Sequence, residues 1–275
     1  MKILNKRTLV DSAGTKVTGI DILSPDIAKK ARPGQFIALM ASDKGERIPL
    51  TIVNADKDAG AITLIFQETG YTTQLLGRMN AGDSLYSLVG PLGHATDIRN
   101  YGKVVIVGGG VGIAEICPVA KALKAAGNRI TIILGARTKG LLILEEELKA
   151  VSDNLLVATD DGSYGRKGFT TDILDEELQR EKCDLVYSVG PIPMMKRSAA
   201  VTAKYGVKTI VSLNAIMIDA TGMCGCCRVT VGGKTLFSCV DGPEFDAHQV
   251  DWDELVKRNR IYEDKEKHIC NLKKL

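Results

Sequence analysis

Lys103-Val-Val-Ile-Val107-Gly108-Gly109-Gly110-Val111-Gly112-Ile113-Ala114 is the stretch on which the fold of this chain turns. A short apolar run ends in glycines, and a helix-compatible segment follows to about Ala126. An apolar run of that length, bounded by turn residues, fits a strand buried on both faces, and strand–glycine–helix is how a parallel α/β unit begins. Glycines let the backbone approach a pyrophosphate, and the helix start offers unpaired N–H groups and a positive dipole end. The segment does not satisfy G-x-G-x-x-G, because Ile113 and Glu115 fall where the last glycine would stand in either frame. The next strand runs into Gly135-Ala136-Arg137-Thr138 without a carboxylate at its end. Gly108, Gly109, Gly110 and Gly112 are therefore candidates for a nucleotide site, with a tight turn lacking any ligand as the plainer reading.

Downstream, strands are expected at Ile130–Leu134, Leu155–Thr159 and Asp184–Val189, with helices at Ile143–Val151 and Thr171–Arg180. Gly190-Pro191-Ile192-Pro193-Met194-Met195 follows the last of these strands. Ligands of open parallel sheets lie beyond the carboxyl ends of the strands, so Gly190 and Pro191 can face the same cofactor. A proline-defined helix start with two core methionines explains the same residues.

Upstream, residues 1–98 read as short strands broken by turns, with candidates at Val17–Ile22, Phe36–Met40, Thr51–Asn54, Ala61–Phe66 and Ser84–Val89. The pattern fits an antiparallel barrel. Within it, Arg47-Ile48-Pro49-Leu50-Thr51 places an arginine suited to a diphosphate beside a threonine at a strand entrance. Gly70-Tyr71-Thr72-Thr73 offers amides and hydroxyls at a helix start. In isolation, a surface arginine and a helix cap account for them equally well. The expected division is 1–98 barrel, 99–213 α/β domain and 214–275 a small C-terminal lobe.

That lobe carries Asp219-Ala-Thr-Gly-Met-Cys224-Gly-Cys226-Cys227 and, after eleven intervening residues, Cys239. The pattern D-x4-C-x2-C-x11-C has the spacing of a plant-type [2Fe–2S] loop with aspartate in the first ligand slot. Asp219, Cys224, Cys227 and Cys239 are the candidate metal ligands, and Cys226 competes with Asp219 for the fourth place. The plainer readings are a structural zinc knot or a cluster of buried thiols; zinc takes paired C-x2-C units and only one such unit is present, so iron–sulfur stands ahead of zinc, and inert thiols behind both. Arg228–Cys239 reads as a hairpin turning at Gly232-Gly233, and a charged helix is expected near Asp251–Lys267.

The 275 residues are 45% apolar and 25% charged, the balance of an ordinary globular protein. A net charge of +3 and 5% aromatic residues give no case for nucleic-acid binding. No apolar stretch approaches a membrane span, and Asp11 interrupts the N-terminus before a signal-peptide core forms. Of seven cysteines, four lie between Cys224 and Cys239, as for a metal site in a reducing compartment, so a cytoplasmic location is expected. Cys117, Cys183 and Cys270 stand alone as incidental or buried thiols, and His94, His248 and His268 have no catalytic setting.

The order of these motifs, with Gly90-Pro91-Leu92-Gly93 between barrel and α/β unit, resembles the ferredoxin–NADP reductase superfamily. More narrowly, the chain resembles electron-transfer subunits of class B dihydroorotate dehydrogenase. It is similar too to their sister group, the small subunits of NADH-dependent reduced ferredoxin:NADP oxidoreductase, also known as sulfide dehydrogenase beta subunits. The most specific part is Asp219–Asp246, including Cys239-Val-Asp-Gly-Pro-Glu-Phe-Asp246. The resemblance implies FAD in the barrel cleft, with Arg47, Pro49, Leu50 and Thr51 at the flavin and Gly70, Thr72 and Thr73 at its phosphates. It implies NAD(H) against the glycine loop and the Gly190-Pro191 turn, and a [2Fe–2S] cluster in the last segment. Leu50 stands where many reductases have a ring-stacking tyrosine. Asp219 departs from the four-cysteine pattern of the dihydroorotate branch and matches the transhydrogenase branch. The implied activity is hydride exchange between NAD(H) and FAD with electrons relayed to a larger flavin and iron–sulfur subunit, and through that complex to ferredoxin. No general acid or base is required. A dihydroorotate-type subunit with the same cofactors, and a non-catalytic iron–sulfur sensor, are the rival readings.

Overall fold

The computed structural model describes residues 1–265 and His268, so Cys270 and the end of the expected C-terminal helix lie outside the described residues. The described residues divide into two compact units rather than three: Met1–His94, Asn214–Pro243 and the described residues from Asp251 form one, and Ala95–Leu213 with Glu244–Val250 form the other.

The first unit opens with β1 (Ile3–Ser12), β2 (Thr15–Leu23), α1 (Pro25–Lys30), β3 (Phe36–Met40), β4 (Ile48–Thr51), β5 (Asn54–Asp56), β6 (Ala61–Gln67), α2 (Tyr71–Arg78) and β7 (Ser87–Leu92). Two antiparallel sheets, ordered β1-β2-β6-β5 and β4-β3-β7, enclose one core built from Ile20, Ile22, Ile37, Leu39, Leu64 and Phe66 among others. Alternation explains this: β2 and β6 pair from Val17↔Gln67 to Leu23↔Ala61, and side chains of period two fall on opposite faces.

The second unit holds β8 (Lys103–Gly109), α3 (Gly112–Ala125), β9 (Arg129–Ala136), α4 (Glu145–Lys149), β10 (Asn154–Thr159), β11 (Arg166–Lys167), α5 (Thr170–Arg180), β12 (Leu185–Val189), α6 (Ile192–Lys204) and β13 (Thr209–Ser212). Its sheet has the order β11-β10-β9-β8-β12-β13-β16, where β16 is Glu244–Asp246. All neighbours are parallel except β16, which runs antiparallel to β13 with Val211 opposite Phe245. Every residue of β8 is buried, as its unbroken apolar run predicts for the centre of a parallel sheet.

The segment expected as a separate lobe is thus shared. After β14 (Arg228–Val231) and β15 (Lys234–Phe237), the chain contributes β16 to the second unit, then returns to the first as α7 (Trp252–Asn259). Thirty residues with one two-stranded ribbon cannot bury a core of their own. Asp251 caps α7 by accepting from Glu254 N–H at 2.9 Å, and its own N–H donates to Thr230 O at 2.8 Å.

Candidate functional site

The nucleotide loop is built by close backbone approach. A Cβ on Gly112 would lie 2.7 Å from Val189 O and 2.9 Å from Gly190 Cα, so α3 starts directly against the end of β12. Gly110 takes φ +58 and its N–H donates to Gly135 O at 2.9 Å, turning the loop over the end of β9. Gly109 and Gly190 also abut, with Met194 of α6 packed over both. The structure therefore brings Gly108–Gly112 and Gly190-Pro191 together at the carboxyl ends of β8 and β12. The plainer reading of Pro191 holds as well, since it caps α6 and Met195 is fully buried.

Two acidic residues that sequence reading passes over are tied by their backbone to the end of β9. Asp160 N–H donates to Ala136 O at 3.1 Å and Asp161 N–H to Arg137 O at 3.2 Å. They belong to the turn after β10, the third strand in chain order, where the usual search for an acidic residue ending the second strand does not look. Asp161 accepts from the N–H and hydroxyl of Ser163, which hold its carboxyl below the ordinary range.

Elsewhere in this unit, Glu244 on β16 accepts from Tyr187 Oη at 2.7 Å and from Thr96 Oγ1 at 2.5 Å. Burial pushes its carboxyl up, and burial with the nearby Glu244 pushes the Tyr187 phenol well up. His248 is tied to Thr202 at 2.9 Å, a packing role.

In the first unit, β4 pairs with β3 through Leu50↔Ile37 and Pro49↔Ala38. Ile48 and Leu50 pack against the barrel core, so Arg47, Pro49 and Thr51 fall on the opposite face of the strand. Arg47 Nη1 donates to Asp219 O at 3.2 Å, while its Nε is buried without a partner. At the start of α2, the Thr73 hydroxyl accepts from the N–H groups of Thr69 and Gly70, both at 3.0 Å, and donates to Gly70 O. Thr73 is therefore spent on the cap. Thr72, 4% exposed, keeps a buried hydroxyl with no partner. Buried polar groups are normally paired, and two orphaned donors at motif positions suit an anionic, acceptor-rich ligand.

The cysteine loop owes its spacing to a hairpin. β14 and β15 pair from Arg228↔Phe237 to Val231↔Lys234 around Gly232 (φ +57) and Gly233 (φ +74), a two-residue turn with left-handed backbone at both positions. Cys227 and Cys239 flank this ribbon, which sets their thiols 3.2 Å apart and buried. Burial and the neighbouring Cys227 thiol push Cys239 up to about 12. Cys224 is exposed, and its N–H donates to Asp219 Oδ2 at 3.1 Å, while Thr221 N–H donates to Oδ1 at 3.0 Å. Those backbone bonds, Thr221 first, hold the Asp219 carboxyl below its ordinary range. Cys226 is anchored on the side of α7, its carbonyl accepting from Arg258 at 3.0 Å. Among the described residues no three potential metal ligands converge. Cys227 and Cys239 are assembled, whereas Cys224 and Asp219 bond each other at the loop's outer end. The donor set is nonetheless that of an iron–sulfur site: three thiols and a carboxylate on a loop with left-handed glycines at 222 (φ +81) and 225 (φ +65). The buried Ser238 hydroxyl has no partner in this segment either.

Residues 214–251 match the iron–sulfur cluster binding domain of dihydroorotate dehydrogenase B, and residues 106–200 match the oxidoreductase NAD-binding domain. The dihydroorotate dehydrogenase B (NAD(+)) electron transfer subunit homolog of Thermotoga maritima is 52% identical over 246 residues, 90% of this chain and 87% of that one. The chain belongs to the dihydroorotate dehydrogenase B-type electron-transfer subunit family. A probable subunit of this kind from Methanopyrus kandleri is 34% identical, across 81% of this chain and 82% of its own length. A chain of the solved NADH-dependent reduced ferredoxin-NADP oxidoreductase, studied for flavin-based electron bifurcation, superposes with a TM-score of 0.91 at 48% identity, covering 97% of this chain and 95% of that one. Ferredoxin-NADP+ reductase from Plasmodium falciparum shares the fold, with a TM-score of 0.59 at 16% identity, across 75% of this chain and 92% of its own. This member of the family is thus an NAD-binding, iron–sulfur-binding electron-transfer subunit of a multisubunit oxidoreductase. No described helix is long and apolar enough to cross a membrane.

Proposed function

We infer that this subunit binds FAD in its barrel unit and exchanges electrons with NAD(H), serving a larger flavin and iron–sulfur subunit in NADH-dependent reduced ferredoxin:NADP transhydrogenation. The observation that carries it is the pair of buried donors without partners, Arg47 Nε and Thr72 Oγ1, at the two motifs suited to flavin. FAD supplies two-electron hydride exchange with the nicotinamide, and a [2Fe–2S] cluster supplies one-electron transfer. The chain's own work is orientation. The α3 N-terminus and Gly108–Gly112 bind the pyrophosphate of NAD(H), with Gly190-Pro191 as the second wall. Arg47 and Thr72 hold the flavin's anionic part, Pro49 and Thr51 line its other contacts, and Leu50 contributes backbone only. Gly70 and Thr73 shape the α2 start. Cys224, Cys227 and Cys239 are the thiolate ligands, and Asp219 is the fourth. In that role its carboxylate leaves the amides of Thr221 and Cys224.

NADH is the preferred nucleotide: the second strand of the unit ends with one arginine, Arg137, to meet a 2′-phosphate, and the turn bonded to that strand end carries the acidic residues Asp160 and Asp161. The partner forms a heterodimer or larger complex with this chain and passes electrons to or from ferredoxin. The name of the Thermotoga maritima relative favours a second reading, the dihydroorotate-type partner, while Asp219 and the 48%-identical transhydrogenase chain favour the first. Purified protein should contain FAD, iron and sulfide, with flavin bands that NADH bleaches. A cluster without flavin would mark a sensor instead. Turnover of the copurified complex with NADPH and ferredoxin, against dihydroorotate, separates the two partners.

A further inference from the structure

We propose that Arg47 is a positioning residue that ties flavin occupancy to the conformation of the cluster loop. Its guanidinium has two ends with different fates. Nη1 donates to Asp219 O at 3.2 Å, across 172 residues of sequence, whereas Nε is buried and has no partner. The carbonyl it holds belongs to the peptide between Asp219 and Ala220. Ala220, 3% exposed, has φ +60, a left-handed conformation that a residue with a Cβ adopts at a cost. The orientation of that one peptide plane sets both the strained φ of Ala220 and the direction in which Asp219 leaves the backbone. Arg47 is the side chain that clamps the plane from outside the loop, and its hold on the backbone carbonyl does not depend on where the Asp219 carboxylate is engaged.

The inference rests on the reading of Arg47 as a flavin contact. With flavin bound, Nε is paired and the side chain can stay extended towards Asp219. Without it, a buried charged donor lacks an acceptor, and the side chain gains by leaving its place and releasing the carbonyl. Flavin then favours the clamped loop by the difference between those states, and by linkage the clamped loop favours flavin equally. Alternation along β4 supports the geometry. Arg47, Pro49 and Thr51 share the face away from the barrel core, so the residue nearest the loop entrance is on the flavin side of the strand.

The experiment is release of iron from the cluster to a chelator, together with the EPR line shape of the reduced cluster, measured on the purified holoprotein before and after reversible removal of FAD. Removal of flavin should speed iron release roughly tenfold, the effect of one charge-assisted hydrogen bond, and alter the EPR line shape. Readdition of FAD should restore both. Arg47→Ala, saturated with FAD as monitored by flavin fluorescence, should release iron at the fast rate whether or not flavin is present. Arg47→Lys should recover part of the flavin dependence. Wild-type protein answers the question without any variant, so a poorly folded Arg47→Ala does not blunt the test. Protein that binds FAD and is bleached by NADH, yet releases iron at one rate with and without flavin, would overturn the coupling and leave the proposed function intact. Protein that binds no FAD would overturn the function itself.

Discussion

Gly112→Ala probes the construction of the nucleotide site through a single methyl group. The new Cβ would stand 2.7 Å from Val189 O and 2.9 Å from Gly190 Cα, against ordinary contact beyond about 3.4 Å. Both obstacles are backbone, so relief requires α3 to move away from β12 by several tenths of an ångström; no side chain can rotate aside. Overpacking of this kind costs about 1–3 kcal/mol, and alanine's better helix propensity offsets up to about 1 kcal/mol. The expected net loss is about 1–2 kcal/mol of stability. The displaced helix end carries the N–H groups proposed for the pyrophosphate, so NADH binding should weaken about tenfold, or 1.4 kcal/mol. Urea unfolding and the KM for NADH in a dye-linked diaphorase assay measure the two effects separately. Gly110→Ala is the contrast, since its Cβ meets nothing within 4 Å and its cost comes only from φ +58. A Gly112→Ala protein with wild-type unfolding midpoint and wild-type KM would refute the close-approach argument.

Diaphorase kinetics should favour NADH over NADPH, and replacing Asp160 and Asp161 by serine should narrow that preference; a wild-type preference for NADPH contradicts the assignment. Burial holds Glu244 above its ordinary carboxyl value, so its contribution to stability is full below the unfolded-state pKa and is lost as pH rises through the folded one. Glu244→Gln should therefore remove a decline in stability that the wild type shows with rising pH, and an unchanged pH profile of the urea midpoint would count against it. Asp219→Cys should keep the cluster while shifting its EPR signature and potential, and Cys226→Ser should leave both unchanged. The reverse outcome, a cluster lost in Cys226→Ser and kept in Asp219→Ala, would move the fourth ligand to Cys226.

Most of the α/β unit was legible because its strands are buried on both faces and its helices begin and end on plain signals. The apolar run before Gly108 became β8, and the helices expected at Thr171–Arg180 and to Ala126 are α5 and α3 within a residue. The barrel was legible as a type, but β1 was not. Only Ile3 and Val10 of its ten residues are buried, and its pairing with β2 breaks register twice, so no alternation survives in the sequence. The single strand expected at Thr51–Asn54 is two, β4 and β5, which pair with different sheets. β16 is three residues long and joins its sheet from across the cysteine segment, a tertiary event without local pattern. That return is why 214–275 is not a lobe. In the sites, the Gly232-Gly233 turn already contained the reason for the eleven-residue spacing between Cys227 and Cys239. The bond from Arg47 to Asp219, the capping role of Thr73 and the backbone approach of Asp160 and Asp161 to the end of β9 required the fold, since none leaves a pattern in the sequence.

The proposed function requires that electrons from NADH reach the iron–sulfur site of this one chain by way of its flavin. Anaerobic addition of NADH to the purified protein, with flavin absorbance and cluster EPR recorded on the same sample, tests it directly. Flavin bleaching and the reduced-cluster signal should appear together, and flavin-depleted protein should show neither. A reduced-cluster signal of full size in flavin-depleted protein, or bleached flavin beside a cluster that stays oxidised with no acceptor present, would contradict it.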